Sequence, residues 1–352
     1  MRPPQWIGRG LSATTLLLVA CTPALSTTPS ALPGASSPSA PAVAQAAAPG
    51  SSGKQPLMLK RATISVTGTQ WPDFVAEEKG FLAREGLQVE TIVVNVRSSI
   101  TSLITGAVDI SFANAGDLVL AVEQGANLVA VGSGVERAPY QLIARPEIHS
   151  FVDLRGKKVA AAGPADAYTY VLRDILRHHG LDPDRDVEFL FGSSSNDRFV
   201  ALQAGGVDAA LFVPPQDREL RERGFTVLAV TMDYYPQLQL SLTAVRRDWA
   251  EQNPEVLRHY LRARASASQW LNDPANRDEA IDILVNALKI PPDVAAYTYD
   301  QNISRIQAFP NDSCIQRAGM ERLIEILHAM GQLQTRPPVE RFIDQQWCPS
   351  GV

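Results

Sequence analysis

The chain has 352 residues, a hydrophobic content of 45% and a formal net charge of −5. This length accommodates two domains of ordinary size. No dense stripe of Lys and Arg occurs, which argues against a nucleic-acid-binding protein, and the three cysteines show no spacing typical of a metal site.

The first 21 residues have the pattern of an export signal. Arg2 and Arg9 precede an apolar stretch at 11–20, which is too short to span a bilayer but suits the core of a signal peptide. The following Leu18-Val19-Ala20-Cys21 looks like a bacterial lipobox, in which Cys21 is lipidated and becomes the first mature residue. The alternative is an ordinary secretory signal cleaved among the alanines at 40–48. Both place the mature chain outside the cytoplasm, in the periplasm or at the cell surface.

Residues 22–56 consist almost wholly of Ala, Pro, Ser, Thr and Gly and show no apolar period. Such a segment cannot bury a core, so it is predicted to be a disordered tether that reaches roughly 30 Å. Together with a lipid on Cys21, it would hold the folded part away from a membrane.

The folded part begins near residue 57 with alternating strand-like and helix-like segments. Before residue 145 the pattern predicts strands at 62–67, 89–95, 110–113, 128–132 and 140–144, and helices at 73–84 and 118–125, besides a helix within 98–106. After it, strands are predicted at 159–162, 187–191, 209–213, 226–231 and 239–245, with helices at 168–179 and 217–223. Residues 255–330 read as helices only. The lobes are therefore predicted to be 57–144 plus 240–352, and 145–239.

One pattern occurs twice in this part. Residues 101–113 read TSLITGAVDISFA and residues 201–213 read ALQAGGVDAALFV, so that Leu, Gly, Val and Asp recur at a constant offset of 99 positions. Each copy reads as strand, Ser-rich turn, helix, a Gly that ends the helix, and a second strand. This predicts two similar α/β lobes, the alternative being a chance similarity between two generic βαβ units.

In open α/β sheets the ligand lies beyond the carboxyl ends of the strands, so the loops there are the candidate site. Serine-rich helix starts present free amides that can hold a carboxylate, sulfonate or phosphate, aromatic rings can line a slot for a flat ring, and Arg97 can pair an anion. For each residue, capping, packing or solvation is the alternative. The candidate ligand-binding residues are Thr69, Gln70, Trp71, Arg97, Ser98, Ser99, Asn114, Ala115, Tyr168, Thr169, Ser193, Ser194, Ser195, Phe212 and Tyr234.

Several short motifs occur in an order that resembles a known family. They are GFL at 80–82, EGLQVE at 85–90, LITGAVD at 103–109, DLRGKKV at 153–159, GL at 180–181 and LQAGGVDA at 202–209. In these motifs the chain resembles the extracytoplasmic solute-binding proteins of ABC importers in the nitrate/sulfonate/taurine group, which share their domain with thiamine-pyrimidine-precursor synthases. One loop departs from this pattern: Val213-Pro214-Pro215-Gln216 stands where many relatives carry Glu-Pro.

The resemblance implies an α/β fold of the periplasmic-binding-protein type II, a two-lobed clamshell. Each lobe would be a mixed sheet flanked by helices, with two crossover strands between them. It implies a monomer that closes on a small ligand and delivers it to an ABC permease, with no cofactor, metal or catalytic residue. It also places the loop at 69–71, Asn114, Ala115, the turn at Tyr168 and the serines at 193–195 on the site.

Two other functional classes stay open. One is an enzyme on the same fold, and the other is a ligand-sensing domain. None of the five histidines falls on a facing loop, while Asp117 and Asp166 are a conceivable carboxylate pair whose simplest role is capping. The predicted ligand is a small organic solute, either anionic or a flat heterocycle, and a ligand with one ring is favoured because an inorganic anion would not need the aromatic residues. Cys314 and Cys348 either pair or remain as two buried thiols.

Overall fold

The computed structural model describes residues 56–63, 66–94, 96–137, 140–161, 163, 166–191 and 195–349, with the side chains at 96 and 97 excepted. The predicted signal peptide, Cys21 and nearly all of the tether lie outside these residues, as do Ser193, Ser194 and the side chain of Arg97. Within them, no helix has the length and apolar character needed to cross a membrane.

The elements follow the predicted alternation. In the described part, the strands are β1 (Leu57–Thr63), β2 (Leu87–Val93), β3 (Ile110–Asn114), β4 (Leu128–Ser133), β5 (Gln141–Ala144), β6 (Lys157–Ala160), β7 (Val187–Leu190), β8 (Ala209–Phe212), β9 (Thr226–Val230) and β10 (Ser241–Arg246). The helices are α1 (Trp71–Glu78), α2 (Phe81–Arg84), α3 (Val96–Ile104), α4 (Ala115–Glu123), α5 (Ala167–His178), α6 (Ser195–Gln203), α7 (Gln216–Glu222), α8 (Arg247–Gln252), α9 (Pro254–Asn272), α10 (Arg277–Leu288), α11 (Pro292–Tyr299) and α12 (Arg317–Ala329).

Two five-stranded mixed sheets form the two lobes. The first has the order β2-β1-β3-β10-β4 and the second β7-β6-β8-β5-β9. In each sheet one strand is antiparallel to its neighbours: β10 in the first, β5 in the second. Each of these two strands follows a passage of the chain from the other lobe. The predicted two-lobed type II fold, with mixed sheets and two crossover strands, is therefore confirmed.

The sequence repeat corresponds to equivalent structure in the two lobes. β2, α3 and β3 in the first lobe match β7, α6 and β8 in the second. In the first copy, Asp109 Oδ2 accepts the backbone N–H of Lys60 at 2.9 Å. In the second, Asp208 Oδ2 accepts the N–H of Lys158 at 2.8 Å. The repeated Asp thus ties the start of its strand to the neighbouring parallel strand.

Some predicted boundaries are wrong. β5 pairs with β8 and β9, so Gln141–Ala144 belongs to the second sheet and not to the first lobe. The predicted helix at 73–84 is two helices, because Gly80 between them has φ of 68°, a left-handed conformation that interrupts helical hydrogen bonding.

The helical tail packs on the first lobe, where α1 and α2 contact α9 and where α12 contacts α4. Cys314 and Cys348 form a disulfide with a Cα–Cα distance of 5.2 Å. This resolves the open alternative in favour of pairing. The bond closes a loop across a separation of 34 residues in the segment that follows α11. It restricts the unfolded chain and so favours the folded tail.

A charge cluster lies inside the first lobe. Asp73 accepts hydrogen bonds from Arg61 at 2.8 Å and from Arg264 at 3.0 Å, and all three side chains are almost completely buried. Arg61 also pairs with Glu77 at 2.8 Å. The half-exposed Glu77 balances the second arginine, so that the cluster joins β1, α1 and α9 with each buried charge paired.

Candidate ligand-binding cleft

A cavity of about 80 Å³ lies where the two lobes and the crossover segment meet. First-lobe residues, the crossover residue Tyr140 and second-lobe residues all contribute to it. Its walls are formed by Asn114, Tyr140, Ala160, Ala161, Asp166, Tyr168, Thr169, Leu172, Arg198, Leu211 and Leu240. A larger open groove of about 800 Å³ runs between α3 and α4, but only first-lobe residues line it. We therefore assign the candidate site to the cavity that both lobes share.

One helix from each lobe begins at this cavity, and in each helix the side chain of the N-cap residue binds the first free backbone N–H groups. Asn114 caps α4, where its Oδ1 accepts the N–H groups of Gly116 at 2.9 Å and Asp117 at 3.3 Å. Asp166 caps α5, where its Oδ1 accepts those of Tyr168 at 3.0 Å and Thr169 at 3.1 Å. These caps satisfy the first free amides of both helices.

Two tyrosines form the aromatic part of the wall. The rings of Tyr140 and Tyr168 lie 4.3 Å apart between centroids, at an interplanar angle of 46°. Burial raises the pKa of Tyr140 to about 12, and the nearby charge of Asp166 acts in the same direction. Burial also raises the pKa of Tyr168. Both hydroxyl groups therefore stay neutral at physiological pH.

The charged groups on the cavity wall are Asp166 and Arg198, both from the second lobe, and Asp117 of the first lobe lies close by, on the neighbouring groove between α3 and α4. Burial, together with the charge of Asp166, raises the pKa of Asp117 to about 6. Burial also raises the pKa of Asp166, although the N–H groups of Thr169 and Tyr168 and the charge of Arg198 lower it. Burial lowers the pKa of Arg198, and the charge of Asp166 partly offsets this effect.

Arg198 is a wall residue that sequence reasoning missed. By the repeat offset of 99, it occupies the position in α6 that Ser99 occupies in α3, and Ser99 is completely buried. The signal that could have identified Arg198 is a charged residue present in only one copy of the repeat, which a position-by-position comparison of the two copies reveals.

Of the predicted residues, Asn114, Tyr168 and Thr169 lie on the cavity wall, and Ala115 is fully buried beside Asn114. Ser195 is the first residue of α6, and its hydroxyl donates to Gln216 Oε1 at 2.6 Å. Thr69 and Gln70 belong to a short 3-10 helix, in which Gln70 Oε1 accepts the N–H of Thr67 at 2.9 Å. Ser98 lies in the first turn of α3.

The prediction that Trp71, Phe212 and Tyr234 line a slot for a ring is wrong. Trp71 is fully buried as the first residue of α1, and its Nε1–H donates to the carbonyl of Ala280 at 3.1 Å. Pro72, which suggested a loop, stands instead in the first helical turn, where proline is well tolerated. Phe212 is in the core of the second lobe. Tyr234 contacts His179 at 2.6 Å, at the end of α5 opposite to its capped start.

A set of contacts between α7 and α11, here called the latch, connects the two lobes. It consists of Asp217 and Arg218 from the second lobe and Asp293 and Tyr297 from the first. Asp217 Oδ2 accepts the Tyr297 hydroxyl at 2.7 Å, and Arg218 pairs with Asp293 at 2.8 Å. The buried Asp217 Oδ2 also accepts Gln141 Nε2 at 2.7 Å. The loop Val213-Pro214-Pro215-Gln216, which departs from the family pattern, leads directly into this helix.

The comparisons with known proteins agree with this architecture. The chain is 20% identical over 284 residues to the putative binding protein YtlA of Bacillus subtilis, which covers 78% of this chain and 84% of that protein. It is 30% identical over 152 residues to the nitrate/nitrite binding protein NrtA of Synechococcus elongatus, which covers 40% of this chain and 33% of that protein.

Among solved structures, the alkanesulfonate-binding protein SsuA of Xanthomonas axonopodis bound to MOPS matches with a TM-score of 0.66 at 19% identity, covering 83% of this chain and all (100%) of that one. The desulfurization enzyme DSZB matches with a TM-score of 0.64 at 16% identity, covering 82% of this chain and 97% of that one. These matches show a fold that binding proteins and an enzyme share. The family model described as NMT1/THI5 like matches residues 69–277, more than half of the chain, and the protein belongs to this family.

Proposed function

We propose that the protein is a lipid-anchored extracytoplasmic receptor that binds a small organic solute between its lobes. It delivers this solute to an ABC permease, and it acts as a monomer without cofactor or metal. The observation that carries the proposal is the cavity lined by both lobes at their crossover segment. The relatives named as binding proteins support the same function.

The size of the cavity bears on how a solute enters. A volume of about 80 Å³ is well below the roughly 300–1,000 Å³ typical of pockets for drug-sized ligands. A solute with a ring therefore requires the lobes to move apart, and this motion must break the latch between α7 and α11. Hinged closure of two lobes on a ligand is a common form of such motion.

The second candidate is an enzyme, because DSZB shares the fold and because one carboxylate, Asp166, lies on the cavity wall with a second, Asp117, close by. General acid–base catalysis needs a proton carrier that contacts the substrate, and Asp117 with a pKa raised to about 6 has suitable chemistry. Binding without turnover is nevertheless the better-supported function, because Asp166 is already engaged in capping α5.

Native mass spectrometry of the protein purified from extracts of its own cells tests the proposal. We expect a co-purified solute that the protein does not convert chemically. When this solute is added back at 100 times its Kd, it should stabilise the protein by about 2.7 kcal/mol. Conversion of the released solute on incubation with fresh protein would instead establish the enzyme. Absence of any stabilising solute in the extracts would contradict receptor function.

The lipid anchor has its own test. Cys21→Ser removes the thiol that the lipobox pattern designates for lipidation, so we expect the variant to move from the membrane fraction to the soluble extracytoplasmic fraction. A single acyl chain binds membranes weakly, so the lipoprotein form needs more than one chain for stable anchoring. An unchanged membrane fraction would exclude Cys21 as the anchor. Cys314→Ser is unsuitable as a control because it breaks the disulfide, so Ser26→Ala in the tether serves instead.

A further inference from the structure

The two helix starts at the cavity are poorly suited to a simple anion. Helix starts bind anions through free N–H groups. Here the side chains of Asn114 and Asp166 already accept the N–H groups of Gly116, Asp117, Tyr168 and Thr169. At α5 the capping group is itself a carboxylate, so an anion placed there would face a negative charge.

The charges around the cavity favour a positive guest. Among the described side chains, Asp166 and Arg198 on the wall balance each other, and Asp117, which lies outside the wall but near enough to interact with Asp166, brings the sum of the three to one negative charge when all are ionised. Burial acts against the charged form of each group. A cation placed beside Asp166 would compensate this excess charge, whereas an anion would increase it.

Thr169 supplies an independent indication that a ligand binds here. Its side chain is on the cavity wall and only 1% exposed, yet its Oγ1 has no hydrogen-bond partner within the described structure. A buried hydroxyl without a partner is unfavourable, and most buried polar groups have one. The backbone N–H of Thr169 donates to Asp166 at 3.1 Å, so the hydroxyl and this carboxylate belong to the same helix turn. A hydrogen-bond donor on a ligand could therefore bind the Thr169 hydroxyl oxygen and the Asp166 carboxylate together.

The aromatic wall fits the same guest. The rings of Tyr140 and Tyr168 border the cavity beside Asp166. Aromatic faces attract cations, and the attraction is stronger where water is excluded. Carboxylate, hydroxyl and tyrosine faces around one small cavity are a suitable environment for a protonated nitrogen.

From these observations we infer that the cleft binds the protonated nitrogen of a small organic cation, held by Asp166 and the Thr169 hydroxyl. This inference rests on the proposed binding function and names the chemical class of the solute. It differs from the anionic alternative that the sequence offers, which depends on the serine-rich helix starts at Ser98-Ser99 and at 193–195 and not on the capped starts of α4 and α5.

Three molecules of nearly identical shape test the sign of the charge that the cavity accepts. Acetamidinium, acetamide and acetate each have four heavy atoms and differ in net charge by one unit from one to the next. We expect acetamidinium to bind the full-length protein at pH 7.5 and constant ionic strength with a Kd at least tenfold below those of acetamide and acetate, measured by saturation-transfer NMR and by thermal unfolding. Equal affinities, tighter binding of acetate, or no binding of acetamidinium would overturn the inference.

Two variants locate the effect. Asp166→Asn retains a side chain that caps helices well, so the fold is kept while the charge is lost, and Thr169→Val removes only the hydroxyl. Each is expected to raise the Kd of acetamidinium at least fivefold, with little change for acetate. Asp153→Asn is the matched control, because Asp153 is an exposed capping carboxylate of the second lobe that accepts the Ser150 N–H at 2.9 Å. If Asp153→Asn weakens acetamidinium binding as much as Asp166→Asn does, the effect comes from the overall charge of the protein and the site is not at Asp166.

Failure of this inference is distinguishable from failure of the proposed function. A co-purified solute without a basic nitrogen would overturn the inference and leave the receptor function intact. A protein that binds no solute from its own extracts would contradict the receptor function itself.

Discussion

The two lobes are built alike but use charge differently. In both, a helix of the repeat ends at a glycine with a positive φ of 73° or 76°, and the Asp that follows binds the neighbouring strand. In the first lobe, however, Arg61 and Arg264 pair with Asp73 inside the fold, and Glu77 supplies the second negative charge. In the second lobe, Asp166 and Arg198 stand on the wall of the cavity. The two lobes therefore share their backbone framework and differ in whether their charged side chains lie inside the fold or on the cavity wall.

The largest expected effect concerns the neutralised cluster of the first lobe. Asp73→Ala leaves the guanidinium groups of Arg61 and Arg264 buried without their shared partner, which should lower the free energy of unfolding by about 3–5 kcal/mol. Urea unfolding followed by circular dichroism measures this loss. Asp153→Ala, at an exposed cap of the second lobe, is the comparison variant and should cost much less than Asp73→Ala. Losses of equal size would show that the buried cluster contributes no more than a surface cap.

Replacement of Asp117, which lies close to the cavity, is expected to change the free energy of unfolding in the opposite direction. Its pKa in the folded protein is raised to about 6 from an ordinary value of 3.8, so between these values the folded state binds more protons than the unfolded state. Its contribution to stability therefore falls as the pH rises from about 4 to 6. Asp117→Asn should raise the free energy of unfolding at pH 7.5 by about 1–2 kcal/mol, allowing for partial exposure, and change it little at pH 4.

Urea unfolding at the two pH values measures this difference, and acetamidinium titration of the same variant measures its functional cost. We expect Asp117→Asn to be more stable and to bind acetamidinium less tightly. A variant that is stabilised equally at pH 4 and pH 7.5 would show that the gain does not come from the ionisation of Asp117.

The same contrast explains which features were predictable from sequence. The repeat, the alternation of elements and the motifs predict the two lobes, because they report on backbone geometry and on the burial of whole strands. Asn114, Tyr168 and Thr169 were predicted at the cleft because the residues after buried strands converge there. Trp71 was misplaced because its burial depends on a contact with Ala280, which lies 209 residues further along the chain. Arg198 was missed because a single arginine in a polar helix carries no local signal.

The equivalence of the two copies predicts equal costs at their glycines. Gly106 and Gly205 have left-handed φ values, and alanine at either position should destabilise the protein by about 1–2 kcal/mol. An added Cβ at Gly205 would approach Arg145 at 2.6 Å, and at Gly106 it would approach Arg246 at 3.4 Å. Both neighbours are the ends of flexible side chains that can shift. The free energies of unfolding of the two variants, measured in urea, should therefore agree to within about 0.5 kcal/mol. A difference of several-fold would show that the lobes do not share this stabilising feature.

The smallest expected effect concerns the latch that joins the lobes. Tyr297→Phe removes one of the two donors to the buried Asp217 Oδ2 and leaves Gln141 as the other. Loss of one such bond should cost the joined state about 0.5–1.5 kcal/mol, which shifts the equilibrium towards separated lobes by about two- to tenfold. Small-angle scattering should then show a larger radius of gyration.

Tyr299→Phe is the matched control in the same helix, because its hydroxyl donates to Leu271 at 3.3 Å within the first lobe. Since that bond does not cross between the lobes, its loss should leave the radius of gyration unchanged; an equal expansion in both variants would mean that the latch does not hold the lobes together.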